Sequence, residues 1–155
     1  MRRRQGRLRR PRRQQGGRLS APLEHVRSYY DALAAGDEAR IAAHFHPEAV
    51  HYYTRLGPHR GAEEIARYAG LAVRGLGAEW SLEHGIGNDE EAVIEWSMRW
   101  RDPKTGEARL DRGTEWFAFR DGLISEVRAY HHSGPRNRSG DLLGFDHAGR
   151  GHATL

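Results

Sequence analysis

The chain contains no cysteine, which excludes a disulfide framework, a thiolate nucleophile and a cysteine-ligated metal. It also lacks any apolar run near the roughly 18 residues that cross a bilayer, and its N-terminus has no apolar stretch of the kind that centres a secretory signal. The expectation is a cytoplasmic protein with no membrane partner. Acid is missing from the first twenty residues, MRRRQGRLRRPRRQQGGRLS, which hold nine arginines. The net charge of +4 is therefore misleading as an average: setting those nine aside leaves 16 basic residues against 21 acidic ones. Residues 1–20 have almost nothing apolar to bury and repel themselves, so they are expected to be a disordered arginine-rich leader. Such a leader is either a solvated tail or an arm for an anionic surface. No aromatic is interleaved with the arginines, so base stacking is not offered and nucleic acid is not the expected partner.

What is present fits one core, since 155 residues are too few to bury two. There is no internal repeat. Ser20 can cap a helix that Pro22 enters, with Leu23, Val26, Tyr30 and Leu33 at helical spacing until Gly36. Asp37 opens a second, short helix in which Ile41, Ala42 and Phe45 face inward and which Pro47 stops. A short strand is expected over Ala49–Thr54, then a loop holding Gly57, Pro58 and Gly61. A third helix runs from about Ala62 to Arg74, burying Ile65, Tyr68, Ala69 and Ala72. Four strands follow, over Ala78–Ile86, Ala92–Arg101, Glu107–Arg120 and Leu123–His132. Their joints at Asn88-Asp89, at residues 102–106 and at Asp121-Gly122 are hairpin signals, Asp-Gly being the strongest. The domain thus spans residues 21–132. Residues 133–155 read as an irregular extension from which Leu142, Leu143 and Phe145 could dock a turn on the domain.

Alternation assigns faces. Ile94, Trp96, Met98 and Trp100 alternate with Glu95, Ser97, Arg99 and Arg101, so one side is apolar and the other wet. Glu115, Phe117 and Phe119 share a face of one strand, and Val127, Ala129 and His131 share a face of the next. If both faces are concave, a carboxylate and an imidazole project among aromatic walls. A carboxylate there either resists ionisation through desolvation or pairs with His131, and both outcomes suit acid–base chemistry near neutral pH. The bland alternative is a buried polar network joining Glu115 to Arg112 or Tyr29. Tyr30, Trp96, Met98, Trp100, Phe117, Phe119 and Val127 are the expected walls for a small apolar molecule. Trp116, on the opposite face from Glu115, could serve a homodimer.

Three stretches carry a family resemblance: Tyr29 to Asp37 (YYDALAAGD), Phe45 to Val50 (FHPEAV) and Phe117 to Tyr130 (FAFRDGLISEVRAY). Together they resemble the SnoaL-like branch of the nuclear transport factor 2-like superfamily. The resemblance implies an α+β, cone-shaped fold in which three N-terminal helices pack on a curved, mixed but mostly antiparallel sheet. It also implies homodimers and enzymes such as isomerases, cyclases, dehydratases and epoxide hydrolases working without a cofactor. Against the ketosteroid isomerase members, Tyr29 matches an oxyanion-stabilising tyrosine and Glu115 a protonated acid, while Tyr53 falls at the position of the general base. Against the scytalone dehydratase members, Tyr52 or Tyr53 matches a strand tyrosine and His84 a strand histidine. The epoxide hydrolase pattern needs an aspartate where this chain has Ala129. Alternation and resemblance together give a catalytic set of Glu115 and His131 as acid and base, with Tyr29, Tyr53 and His84 as hydrogen-bond donors, acting on a hydrophobic cyclic metabolite; the alternative is a non-catalytic ligand-binding or assembly domain of the same fold.

Ten histidines raise the question of metal, with His44, His46, His51 and the pair His131-His132 closest together. Neighbours on a strand point to opposite faces, so His131 and His132 cannot chelate jointly. No metal and no cofactor are expected.

Overall fold

The computed structural model describes residues 20–54, 56–131 and 140–155; the leader up to residue 19, His132 and the start of the extension at 133–139 lie outside the described residues. Helix α1 (Ala21–Ala35) begins where Ser20 accepts from the Leu23 amide and ends at Gly36, whose left-handed backbone (φ 63°) lets its amide reach back to Leu33. Helix α2 (Glu38–Ala43) is six residues long, capped by Asp37 on the Arg40 amide. Helix α3 (Ala62–Leu76) follows only after two strands. Among the described residues the architecture is therefore α+β with three helices, of which α1 and α2 precede the sheet, and α2 is a turn and a half.

The strands are β1 (Phe45–Tyr53), β2 (Gly57–Arg60), β3 (Glu79–Gly87), β4 (Glu91–Arg101), β5 (Ala108–Arg120) and β6 (Leu123–His131). They form one sheet in the order β2-β1-β6-β5-β4-β3, in which only the β1–β6 pair is parallel. Two differences from the sequence reading have clear causes. Strand β1 starts at Phe45 and runs through Pro47, because the β1–β6 register slips between Phe45 and Val50 and the proline, which has no N–H, falls in that interruption. The expected loop at Gly57-Pro58 forms β2 instead, an edge strand paired antiparallel with β1, a position where proline is tolerated. The Asp121-Gly122 joint is a tight hairpin with positive φ at both residues (54° and 75°).

Helix α1 packs against β3 and β4, and α3 against β1, β2 and α2. Val26, Ile41, Ile65, Ile94, Phe117, Ile124 and Val127 are fully buried between the helices and one face of the sheet. Burial of each such side chain contributes about 1.5–3 kcal/mol. These residues fill the closed end of the cone and leave the other end open.

The outer face of the sheet carries the C-terminal segment 140–155, which is held by polar bonds. Arg112 pairs with Asp141 and donates to Ser97 Oγ (2.8 Å) and to the Ala153 carbonyl (2.9 Å). Arg99 donates to the Thr154 carbonyl, and the Ala153 amide to Glu83. Docking does not run through the leucines as expected: Leu143 is 92% exposed. Among the described residues, no helix is long and apolar enough to cross a membrane.

Candidate active site

The open end of the cone is a cavity of about 260 Å³ between α1, α3 and the concave face of the sheet. Its layout follows from register. Tyr53 of β1 stands beside Ala129 of β6, which is opposite Glu115 of β5, itself opposite Ile94 of β4. One row towards the opening, His131, Gly113 and Trp96 lie in line, and beyond them come Asp111 and Met98. One row towards the closed end, His51 stands beside Val127 and Phe117. Leu33, Ala69 and Ala72 supply apolar wall from the helices, with Leu56 and Leu76 at the rim.

Glu115 is buried, 7% exposed, and accepts a hydrogen bond from the Tyr30 hydroxyl at 2.9 Å. Its other oxygen stands 3.6 Å from His51 Nε2. His51, 2% exposed, has Nδ1 3.1 Å from the Tyr53 hydroxyl, and the two rings stack at 4.0 Å as same-face neighbours on β1. A neutral imidazole that accepts from Tyr53 at Nδ1 carries its hydrogen on Nε2, the atom facing the carboxylate. Tyr29 packs edge-on against Tyr30 and Phe45.

The three phenols around this carboxylate are all held in the neutral form. Burial pushes Tyr29 well above the ordinary phenol range, and the nearby Glu115 charge adds to it. Tyr30 is raised by burial, then by the Glu115 charge and its hydrogen bond to that group. Tyr53 is raised by burial, then by Tyr29 and Glu115. At neutral pH each therefore keeps its hydroxyl hydrogen; Tyr30 gives it to Glu115 and Tyr53 to His51, which leaves Tyr29 as the donor for a developing oxyanion.

A second polar pair lies nearer the opening. His131 Nε2 is 3.5 Å from Asp111 Oδ2, and Asp111 is buried, 7% exposed. Thr54 Oγ1 donates to the His131 carbonyl, and the Trp96 ring lies 5.4 Å from the imidazole. Trp96 reaches across Gly113, where an added Cβ would stand 2.4 Å from the indole. On the α3 side, Tyr68 stacks on His59, which is bonded to Glu64 at 2.9 Å.

Of the expected site residues, Glu115, His131, Tyr29 and Tyr53 line the cavity, together with Tyr30, Trp96 and Met98. His84 does not. A bulge between Leu82 and His84 shifts the β3–β4 register, so Leu82 and Gly85 take the inward positions and His84 is exposed. Phe117 and Val127 are wholly buried under the cavity floor rather than in its wall. Phe119 packs edge-on against His25 near the closed end, and Trp100 lies beyond the last row of the wall. The expected pairing also changes. Glu115 faces His51, not His131, because the parallel β1–β6 contact brings β1 into the cup, while Arg112 points outward to Asp141. His51 and Asp111 were readable in principle: His51 sits two before Tyr53, and Asp111 four before Glu115, each on the inward face. Among the described residues no group of three or more histidines and acids converges as a metal site.

A family model described as a SnoaL-like domain matches residues 26–127. No curated protein matches the chain in sequence. Among solved structures, a Methylobium petroleophilum protein of unknown function with a cystatin-like fold is 37% identical, with a TM-score of 0.66 over 88% of this chain and 95% of that one. A candidate polyketide cyclase of Sinorhizobium meliloti is 21% identical, with a TM-score of 0.59 over 68% of this chain and 93% of its own. An M. tuberculosis LEH-like epoxide hydrolase is 15% identical, with a TM-score of 0.65 over 76% and 86%. The latter two likenesses concern the fold alone.

Proposed function

This chain belongs to the SnoaL-like domain family, a fold of small-molecule cyclase and isomerase type, and from that premise we propose that it catalyses proton transfer on a hydrophobic cyclic metabolite, in an isomerisation, cyclisation or dehydration. The observation that carries the reading is the buried carboxylate of Glu115, held by Tyr30 and facing His51 Nε2 inside an apolar cavity. An unneeded acid in such a place is expensive to desolvate, which argues for a chemical purpose.

In this reading Glu115 removes a proton from a carbon next to a carbonyl, and Tyr29 donates to the oxygen as it gains charge. His51 orients the carboxylate through Nε2–H, and the protonated Glu115 returns its proton to a carbon of the enol or enolate, which restores the carboxylate. Positioned proton transfer contributes about 10²–10⁴-fold, and each oxyanion donor about 10²–10³-fold. The chain's own acids, imidazole and phenols suffice for this step. The size of the cavity suits a compact mono- or bicyclic ligand.

The reading is tested with 2-tetralone, a bicyclic ketone, in D₂O. Exchange of its α-protons, followed by NMR, should be accelerated by the wild-type protein and reduced at least 100-fold in Glu115→Gln and His51→Gln. Exchange at the buffer rate, or equal exchange in the variants, would sink it.

A further inference from the structure

The cavity is lined by the Glu115–His51 pair and by a second imidazole, His131, that is paired with Asp111 at the edge of the wall, and the acid–base reading uses only the deeper pair. In the outer pair, His131 Nε2 stands 3.5 Å from Asp111 yet makes no hydrogen bond, and the neighbouring Trp96 Nε1 is likewise buried without a partner. Both side chains line the same cavity. Buried N–H groups normally have acceptors, and leaving two adjacent ones unmet is costly. A cavity wall is where such a deficit persists, because a ligand can meet it.

The wall is also built for this arrangement. Gly113 is the residue over which the indole lies, and any side chain there would collide with the ring. Thr54, just past the end of β1, fixes the His131 backbone. Asp111 faces Nε2 of the imidazole and favours a hydrogen on that atom, so a ligand hydroxyl reaching the gap between them accepts from His131 and donates to Asp111. Charged side chains that serve only the fold are not shaped in this way; Arg112, one residue along β5, meets three partners on the outer face.

We propose that Trp96 Nε1 and His131 Nε2, with Asp111 beside the imidazole, form a second polar subsite that takes a hydroxyl or carbonyl oxygen at the outer end of the ligand. The proposal rests on the acid–base reading of the deeper pair and narrows its substrate class. The ligand is a flat ring system with oxygen functions at both ends, one at Glu115 and His51 and one at His131 and Trp96. His131 and Trp96 lie in the row of Gly113, two residues from Glu115 along β5, about 7 Å of strand. A fused bicyclic ring with an oxygen at each end spans that interval.

The test compares 2-naphthol, which mimics the enol of 2-tetralone and has one oxygen, with 2,6-dihydroxynaphthalene, which has one at each end. Calorimetric titration of the wild-type protein should give about 10-fold tighter binding of the diol, equivalent to about 1.4 kcal/mol. In Trp96→Phe and in His131→Gln, whose folding is checked by near-ultraviolet circular dichroism, that ratio should fall towards one. A wild-type ratio near one, or a ratio kept in whichever variant folds, overturns the subsite and leaves the acid–base reading standing. Failure of both compounds to bind the wild-type protein, together with no exchange of 2-tetralone, overturns the two together.

Discussion

The two faces of the sheet treat charge in opposite ways. On the outer face Arg128 lies over Trp116 at 5.1 Å and pairs with Glu126 at 3.2 Å, Arg120 pairs with Glu48, and Arg112 holds the C-terminal segment. Most of these groups are partly in water, where an ion pair is worth little. On the inner face Glu115, His51 and Asp111 are nearly dry, and two imidazole nitrogens stand beside carboxylates without bonding to them. Burial of such pairs costs several kcal/mol per ion and rarely returns it as stability. A fold selected for stability alone would have placed hydrocarbon there. The contrast marks the inner face as the candidate site better than any single residue does.

The widest separation between the faces should be kinetic. Glu115→Gln keeps an acceptor for the Tyr30 hydroxyl but removes the base and turns an NH₂ group towards His51 Nε2, so proton exchange on 2-tetralone should fall at least 100-fold while unfolding free energy changes by at most about 1–3 kcal/mol. Arg128→Gln on the outer face should leave the exchange rate within about 2-fold. If the two variants lose activity alike, the division between the faces does not hold.

Alkaline pH offers a second way to test the inner face. Tyr29, Tyr30 and Tyr53 all have folded-state values raised by burial and the Glu115 charge. Above about pH 10 the unfolded chain has released these protons and the folded chain has not, so the unfolded state binds fewer protons and stability falls as pH rises. The contribution of these groups is fully present below that pH and lost above it. Urea midpoints measured from pH 8 to 11 should drop, and Tyr29→Phe and Tyr53→Phe should each flatten the decline. A midpoint as steep in both variants as in the wild type would mean that the tyrosines are not its source.

Gly113 joins the two faces, because its bare Cα lets Trp96 lie against the sheet. In Gly113→Val, contacts of 2.4 and 2.7 Å to the indole and 3.0 Å to the Tyr130 carbonyl force the ring away, at about 1–3 kcal/mol. Urea unfolding measures the loss, and near-ultraviolet dichroism should report the displaced tryptophan. Unchanged stability would mean that the indole has room to move and that the wall is not built around it.

Much of this was legible in the chain, and the illegible part has physical reasons. Helix α1 announces itself through Ser20, Pro22 and Gly36, and the β5–β6 hairpin through Asp121-Gly122, because caps and tight turns are local chemistry. Alternation puts Glu115, Ala129 and His131 on the concave face, since a period of two survives wherever a strand is regular. It fails at His84, where one extra residue reverses the facing, and a bulge leaves no consistent mark in composition. It stops short at Phe117 and Val127, which have the right face but lie too near the closed end to meet a ligand. The His51–Glu115 contact was hidden for another reason. It depends on parallel pairing of β1 with β6 across more than seventy residues, and no short-range pattern encodes that choice of neighbour.

The smallest effect is expected where the outer face looks busiest. Arg128 faces Trp116, Glu126 and Glu91, the last at 3.9 Å, and its side chain is 39% exposed. Pairs at that exposure return at most about 1 kcal/mol, and a cation over an exposed ring about 0.5–1 kcal/mol, before the entropy of fixing a long side chain is set against them. Arg128→Ala should therefore shift the unfolding free energy by about 0.5 kcal/mol, and 0.5 M salt should shrink even that difference, because exposed charges are screened over a few ångströms. The comparison breaks if this variant loses 2 kcal/mol or more at either ionic strength. Such a loss would mean that the outer face holds the fold through charge, and that the buried carboxylates and imidazoles of the inner face no longer set the candidate site apart.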